Sequence, residues 1–394
     1  MVKKHAVRWM TGFAKYGIGF GLLAFVIYKY WDENPETGAP GLKQLIARPI
    51  AYEWLVTAAV LLAFALILQL YRWYLLVRAL DLPCSVRNAY RLGLVGVFYN
   101  TFFPGSVGGD LIKAYFIAKA HPERKTKAVA TVIIDRAMGL FGLILFVAVL
   151  GSVAWALGDP RLNGNKDLQW MVKVTAAIAG ATVAGFVLLG FLPQRRVDRF
   201  ARRLKGFPKV GTALAEFWHA VWMYRQRPRV IVFGLMISAT AHFALVFAFH
   251  CSSRVFPPVN DAELATLPEH LVIAPIGFIV QAIPISPGGV GVGEAAFAGL
   301  YKLCGRSPTR GIIARLSLRI VEWLIGLIGY IVFLRMRAEV REVEHEVEVD
   351  EESGERELES GDSSQETGDR GQEAGVSTQE TGVRGQGSDG APPA

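Results

Sequence analysis

Three ionisable residues near the end of the apolar part of the chain have the spacing of one helical face. Arg315, Arg319 and Glu322 stand at positions i, i+4 and i+7 within an otherwise apolar stretch. Charged groups are costly inside a membrane span and are therefore functional candidates. Because a guanidinium presents paired donors that match phosphate oxygens, the spacing predicts an anion-binding face. Arg315 is the strongest candidate, since Glu322 cannot easily satisfy two arginines; the alternative is that Arg319 and Glu322 only neutralise each other.

Four further charged residues lie in apolar surroundings. Asp135 and Arg136 fall about two turns into a predicted span, and Asp110 and Glu294 each follow a glycine-rich break. Together they could line a polar cavity near the middle of the membrane. The two carboxylates that follow the breaks would there take a coupling proton or a cationic headgroup. The alternative, that they only cap short helices, stays open.

The two breaks are near-copies of each other. Residues 104–110 read PGSVGGD and residues 287–294 read PGGVGVGE, each between a longer apolar run and a short helix-like run. Paired segments interrupted by glycine and proline indicate a transporter's binding site, and glycine-rich helix starts favour anions. Ordinary turns between helices are the alternative. The predicted hinge residues are Pro104, Gly105, Gly108, Gly109, Pro287, Gly288, Gly289, Gly291 and Gly293.

Composition predicts an all-α polytopic membrane protein. The 394 residues are 52% hydrophobic and 19% charged, with a mean hydropathy of +0.33. We predict two re-entrant hairpins at the breaks and six full spans, at about residues 13–30, 54–76, 128–157, 168–192, 230–249 and 311–336. Arg72, Trp73 and Tyr74, near the end of the second span, have the composition of an interfacial anchor. Three spans separate the breaks, so the two halves are predicted to form an inverted pseudo-repeat.

The charge distribution predicts the topology. Residues 193–229 carry 10 basic and 2 acidic side chains, which indicates a cytoplasmic loop in the plasma (inner) membrane, with both termini cytoplasmic. Lys302, Arg306 and Arg310 would then lie outside, against the rule. Residues 1–337 form the predicted transmembrane domain. Residues 338–394 carry 17 acidic and 4 basic side chains and few apolar ones, which is typical of a disordered low-complexity tail.

The sequence lacks the motifs of several other function classes. It contains no Gly-Lys-Ser/Thr phosphate loop, no G-x-S-x-G and no HExxH, so we predict neither an ATPase nor a hydrolase, and no enzyme activity. Cys84, Cys251 and Cys304 are far apart, and His242 and His250 have no partner at ligand spacing. We predict no metal and no cofactor. The basic residues flank apolar spans, so nucleic acid is not an expected partner either.

The breaks and their surroundings resemble one family. The run at residues 98–110, with Lys113-Ala114-Tyr115, looks like the signature of the lysylphosphatidylglycerol synthase transmembrane-region family, often labelled flippase-like. Ile134-Asp135-Arg136 and residues 287–294 match its second and third motifs, and Arg315, eleven residues before Gly326, resembles its fourth. The likeness covers roughly residues 10–337. It implies a polytopic protein that moves lipids between leaflets. Its two-domain members carry a soluble synthase domain that this sequence does not contain, so synthase activity is not expected.

We therefore expect a lipid translocase that moves an anionic phospholipid or a polyprenyl-phosphate-linked headgroup between leaflets. Arg315 and Arg136 would hold the phosphate and Arg319 would assist. A lipid-modifying enzyme is a candidate partner. Two alternatives remain: a membrane enzyme or accessory subunit of glycolipid or lipid modification, and a secondary transporter of a soluble anion.

Overall fold

A computed structural model describes residues 2–33, 38–103, 108–158, 160–190, 194–206, 211–258 and 263–336 of the chain. The predicted hinge residues Pro104 and Gly105 and the predicted acidic tail lie outside the described residues. Residues Met1–Met336 form one compact unit. The described residues contain no β-strand. Their helices are α1 Val2–Lys29, α2 Leu42–Ile46, α3 Tyr52–Ala79, α4 Val86–Phe102, α5 Gly108–Ala120, α6 Lys125–Ala156, α7 Pro160–Asn163, α8 Lys166–Gly190, α9 Gln194–Lys205, α10 Gly211–Tyr224, α11 Pro228–Ser252, α12 Leu267–Gln281, α13 Val292–Leu303 and α14 Pro308–Arg335.

Five of the six predicted spans coincide with helices that are long and apolar enough to cross a membrane. These five are α3, α6, α8, α11 and α14. The remaining predicted span, at residues 13–30, falls in α1, which is 28 residues long but is not among these five apolar helices. Lys15 and Lys29 leave an uncharged core of only 13 residues in α1. This core is short against the roughly 20 residues that a membrane-spanning helix needs.

The first hairpin consists of α4 and α5. Ser85 begins α4 by accepting a hydrogen bond from the backbone N–H of Asn88 at 3.2 Å. At the start of α5 the two helices touch through glycines, because a Cβ on Gly109 would collide with the carbonyl oxygen of Gly96. Gly108 and Gly109 therefore serve as the first residues of α5, and Gly109 also allows the helices to approach closely.

The second hairpin consists of α12, a 3₁₀ turn at Pro287–Gly289 and α13. Helix α12 ends at Gln281, three residues before Pro284, as expected where proline cannot continue a helix. Gly288, Gly289 and Gly291 have φ angles of 54°, 66° and 78°, a left-handed conformation that favours glycine. The glycine-rich break is thus a true turn, and α13 starts directly after it.

The two hairpins belong to four-helix segments with the same order of long and short helices. Helices α3 to α6 form the first segment and α11 to α14 form the second. The segments interlock, because α3 packs along α11, α4 against α14 and α6 against α12. Along the sequence, three helices of membrane-spanning length separate the two hairpins: α6, α8 and α11. If each crosses the membrane, their odd number inverts one hairpin relative to the other.

Helices α9 and α10 cover the strongly basic stretch between α8 and α11. They pack against each other, with the rings of Phe200 and Trp218 at 4.8 Å between centroids. Tyr224, at the end of α10, donates a hydrogen bond of 2.8 Å to the carbonyl oxygen of Leu76 in α3. This contact joins the pair α9 and α10 to α3.

Candidate functional site

Arg319 of α14 binds the turn of the second hairpin. Its guanidinium donates to Glu294 through Nε at 2.6 Å and through Nη2 at 3.2 Å. It also donates to the backbone oxygens of Gly288 and Gly289, both at 3.0 Å. Its side chain is only 2% exposed. The fork of donors on one arginine therefore closes the glycine turn onto α14.

Glu294 caps a helix, which is the alternative that the sequence left open, and it also pairs with Arg319. Its Oε2 accepts the backbone N–H of Gly291 at 2.7 Å, which caps the start of α13. Its two carboxylate oxygens also accept hydrogen bonds from Nε and Nη2 of Arg319. Gly293 lies beside this pair, and a Cβ there would stand 2.7 Å from Oε1 of Gln281. The carboxylate is buried, capped and paired at once.

Arg315 lies one turn before Arg319 and is fully buried. Its Nε donates to Oε1 of Gln281 and its Nη2 donates to Oε2 of Glu322, both at 2.6 Å. Within the described part of the chain, nothing accepts a hydrogen bond from its Nη1. The alternative pairing of Glu322 with Arg319 does not occur, because Arg319 turns to the hairpin and Glu322 bonds Arg315 instead.

The first hairpin carries a matching ion pair. Nε of Arg136 in α6 donates to Oδ2 of Asp110 in the first turn of α5. Lys113 stands 3.9 Å from the other oxygen of Asp110. The described cap of α5 comes from Asn100, whose side-chain oxygen accepts the N–H of Gly109 at 3.1 Å. Among the described contacts, Asp110 therefore acts as the partner of Arg136.

Asp135 does not join the other predicted site residues. Its carboxylate accepts a hydrogen bond of 2.9 Å from Arg72 of α3, and Arg72 also donates to Ser238 of α11 at 2.6 Å. The prediction that Arg72, Trp73 and Tyr74 form an interfacial anchor is wrong for Arg72 and Trp73, since both are buried. Helix α3 continues to Ala79, so both residues lie inside it. Together these contacts make Asp135 part of a buried link between α3, α6 and α11.

A cavity of about 270 Å³ lies where the two hairpins meet. Arg136, whose side chain is 48% exposed, lines it, as do the buried Arg319 and Glu322, which is 26% exposed. Asp110 and Glu294 pair with the two arginines that line the cavity, and Arg315 pairs with the lining residue Glu322. The other lining residues are Leu62, Leu66 and Gln69 of α3, Val97, Asn100 and Thr101 of α4, Gln281 and Ala282 at the end of α12, Gly288 and Gly289 of the turn, and Ile325 of α14.

Arg306 and Arg310, two of the three basic residues that opposed the predicted topology, form ion pairs. Arg310 binds Glu263 through Nε at 3.0 Å, Arg48 binds the same carboxylate at 3.0 Å, and Arg306 binds Glu269 at 3.1 Å. Burial alone raises the pKa of Glu263, but hydrogen bonds and charges from Arg310 and Arg48 outweigh burial and leave that pKa below its ordinary value.

Sequence reasoning missed a second buried polar cluster. Nδ1 of His250 lies 2.7 Å from Nδ1 of His270, and Nε2 of His270 lies 2.5 Å from the Tyr301 hydroxyl. Arg254 approaches Nδ1 of His250 at 3.1 Å. The four residues come from α11, α12, α13 and the loop after α11, and no spacing in the sequence links them. They lie outside the lining of the cavity.

With this geometry established, the chain can be compared with known proteins. The sequence profile described as the lysylphosphatidylglycerol synthase TM region matches residues 13–329. The chain belongs to this family. The predicted resemblance is thereby confirmed, and the match includes both hairpins, both ion pairs and the whole cavity lining.

Members of the family with similar length occur in archaea. A UPF0104 membrane protein of Methanothermobacter thermautotrophicus is 28% identical over 296 residues, which cover 70% of this chain and 83% of the relative. A second protein of that name from the same organism is 24% identical over 304 residues, covering 70% and 82%. One from Methanocaldococcus jannaschii is 20% identical over 306 residues, covering 73% and 86%. No solved structure has significant similarity to this chain.

Proposed function

We propose that this membrane protein is a lipid translocase, which moves a phosphate-bearing lipid headgroup between leaflets. The observation that carries the proposal is the cavity between the two hairpins, with Arg136 half-exposed on its wall. A guanidinium in a site of low dielectric binds phosphate strongly and directionally. The cavity lies where paired broken helices meet, which is the usual position of a substrate site in transporters with inverted repeats.

The charged residues divide into binding and supporting roles. Arg136 would contact the phosphate directly because it is the most exposed arginine of the cavity lining. Arg315 would add a second donor if a substrate oxygen displaced Glu322, since Nη1 of Arg315 has no acceptor among the described residues. Glu322 gives the cavity a carboxylate that repels a second negative charge. Asp110 and Glu294 hold arginines, so a coupling proton would have to break an ion pair to reach them.

The surroundings of the cavity favour a lipid over a soluble anion. Leu62, Leu66, Val97 and Ile325 line it beside the polar groups. Helices α3 and α14, which contribute three of these residues, present many exposed apolar side chains outward, such as Val60 and Leu324. A headgroup could therefore sit in the cavity while its acyl chains stayed in the bilayer. The candidates remain an anionic phospholipid and a polyprenyl-phosphate-linked glycan.

The cellular setting is part of the proposal. The 10 basic residues of the stretch 193–229 favour a plasma (inner) membrane orientation with cytoplasmic termini. A lipid-modifying enzyme would be a natural partner, because it would supply or consume the moved lipid. We propose that this chain itself performs no covalent chemistry.

The test is a leaflet-accessibility assay on purified protein in sealed vesicles. Labelled phosphatidylglycerol, phosphatidylcholine and a polyprenyl phosphate would be compared, with vesicles loaded with inorganic phosphate as the soluble-anion arm. The Arg136→Ala variant should slow movement of the preferred lipid by about ten- to a hundredfold, the equivalent of one or two lost charged hydrogen bonds. Arg227→Ala is the matched control, because Arg227 is 47% exposed and pairs with Asp81 away from the cavity.

Three results would contradict the proposal. Folded wild-type protein that moves no lipid would favour an accessory role in lipid modification. Release of inorganic phosphate without lipid movement would favour a soluble-anion transporter. Equal lipid movement by the Arg136→Ala and wild-type proteins would remove the cavity from the mechanism.

A further inference from the structure

Glu322 is the carboxylate that faces the cavity between the hairpins. It lines the cavity, and its side chain is 26% exposed. The other two carboxylates of the site are more enclosed, because the side chains of Asp110 and Glu294 are 8% and 0% exposed. Neither of these two is among the described residues that line the cavity. An anionic headgroup in the cavity would therefore meet the negative charge of Glu322 directly.

Glu322 is held by fewer contacts than the carboxylate of the second hairpin. Its Oε2 accepts one hydrogen bond, from Nη2 of Arg315 at 2.6 Å. Glu294 instead accepts from Nε and Nη2 of Arg319 and from the backbone N–H of Gly291. Displacement of Glu322 from its arginine thus breaks one hydrogen bond, whereas displacement of Glu294 breaks three.

Arg315 has an unused donor beside its contact with Glu322. The residue is fully buried, and its Nη1 has no hydrogen-bond acceptor among the described residues. Oε1 of Gln281 holds its Nε at 2.6 Å. Nη1 and Nη2 form one edge of the guanidinium and match two oxygens of a phosphate. A phosphate in place of Glu322 would satisfy both donors, and a buried charged donor without an acceptor is costly.

Two negative charges cannot share Arg315 at low cost. The other described cations at or beside the cavity already lie close to carboxylates: Arg136 and Lys113 to Asp110, and Arg319 to Glu294. The described residues that α3, α4 and α12 contribute to the lining carry no charge. If a phosphate displaced an ionised Glu322, one guanidinium would face two anions in a site of low dielectric. A proton on Glu322 removes this repulsion and leaves one cation for one anion.

We propose that Glu322 is the proton-coupling group of this protein: it leaves Arg315 and takes up a proton when an anionic headgroup binds there. The proton comes from water that enters the cavity and bonds to a carboxylate oxygen of Glu322. Phosphate oxygens then accept from Nη1 and Nη2 of Arg315, while Gln281 keeps Nε. A headgroup with one negative charge enters together with one proton, so their joint entry is electroneutral. This inference rests on the proposed function and names the residue through which a pH gradient acts on it.

The exchange predicts that loss of a cavity carboxylate strengthens anion binding. Binding of phosphatidylglycerol should take up about one proton per lipid, so its affinity should rise by up to about tenfold for each pH unit lowered. Glutamine cannot take up the proton and carries no charge that competes for Arg315. The Glu322→Gln variant should therefore bind phosphatidylglycerol at high pH as tightly as the wild type binds it at low pH, with no proton uptake.

The measurement is calorimetric titration of phosphatidylglycerol into purified protein in detergent micelles, in two buffers that differ in ionisation enthalpy. The difference between the two heats gives the number of protons taken up, since phosphatidylglycerol itself takes up none near neutral pH. Asp81→Asn is the matched control, because Asp81 pairs with Arg227 away from the cavity and should leave the uptake unchanged. Dimethyl phosphate serves as a second probe that has the same phosphodiester but no acyl chains.

Persistent proton uptake in Glu322→Gln, or wild-type binding that does not change with pH, would overturn the proposal. Failure of both proteins to bind either probe would overturn it as well. If Glu322→Gln does not fold, Glu322→Asp identifies the group instead. It keeps the charge and should shift the carbonyl band of the protonated carboxyl that infrared difference spectroscopy records on lipid binding, and an unshifted band would contradict the assignment.

The outcome for Glu322 is separate from the outcome for translocation. Proton uptake on binding of phosphatidylglycerol, without movement of the lipid between leaflets, would support the role of Glu322 and refute translocation. Equal uptake and affinity with dimethyl phosphate would support the exchange and favour a soluble anion as the substrate. Lipid movement without proton uptake would support translocation and refute the role of Glu322.

Discussion

The pair of Arg319 and Glu294 should be among the costliest contacts to break in this protein. Arg319→Met removes the charge but keeps most of the side-chain volume. It would leave the Glu294 carboxylate buried without its cation and the carbonyl oxygens of Gly288 and Gly289 without donors. Removal of one partner of a buried ion pair costs about 3–5 kcal/mol of unfolding free energy. We expect a loss of that size.

Two companion variants separate this cause from a general effect of substitution. Arg136→Met removes the equivalent arginine, but that side chain is 48% exposed and Lys113 stays 3.9 Å from the buried Asp110 carboxylate, so the loss should be smaller than for Arg319→Met. The double variant Arg319→Met with Glu294→Gln removes both buried charges and should recover much of the stability lost in the single variant.

The assay is equilibrium unfolding of the purified protein in mixed detergent and lipid micelles, followed by circular dichroism. The reasoning fails if Arg319→Met and Arg136→Met are equally stable. It also fails if the double variant is as unstable as Arg319→Met alone, because the cost would then not arise from an uncompensated carboxylate.

Two further predictions concern the first hairpin and the ion pairs of Glu263. Gly109→Ala should cost about 1–3 kcal/mol of unfolding free energy because its Cβ would collide with the Gly96 carbonyl. Gly108→Ala is the control, since its Cβ would meet no described atom within 4 Å, and it should be as stable as the wild type in the same assay. Equal losses of stability in the two variants would contradict this packing argument. The pKa of Glu263 lies below its ordinary value in the folded protein, so its stabilising pair with Arg310 is fully present above about pH 4.3 and is lost as the pH falls through the folded pKa. The difference in melting temperature between wild type and Glu263→Gln should accordingly shrink in acid, and a difference independent of pH would refute the assignment.

The cluster of His250, His270 and Tyr301 lies apart from the cavity between the two hairpins. Its rings stand among aromatic side chains, with Phe249 packed against His270 at 5.4 Å between ring centroids. The contacts of His270 with His250 and Tyr301 connect the start of α12 to the end of α13. The second hairpin is thus held by this cluster at one end and by the contacts of Arg319 with the glycine turn at the other.

The sequence by itself determined the class of protein and the elements of the site. Apolar runs of sufficient length specify membrane helices in any tertiary context, and five of the six predicted spans coincide with such helices. Proline and glycine act on the local backbone, so the break at residues 287–291 could be read as a turn. The spacing of Arg315, Arg319 and Glu322 also placed these residues on one helix without knowledge of their neighbours.

Only the tertiary structure decided which charge meets which. The sequence could offer Glu322 to either arginine, but the approach of the second hairpin gives Glu294 to Arg319 and leaves Glu322 to Arg315. Asp135 turns away from the cavity because α3 brings Arg72 to it from 63 residues earlier. Pairing depends on distances between helices that are far apart in the chain, and helical periodicity carries no information about those distances. The difference in exposure between Arg136 and Arg319 also could not be predicted, since burial is a property of the assembled helices.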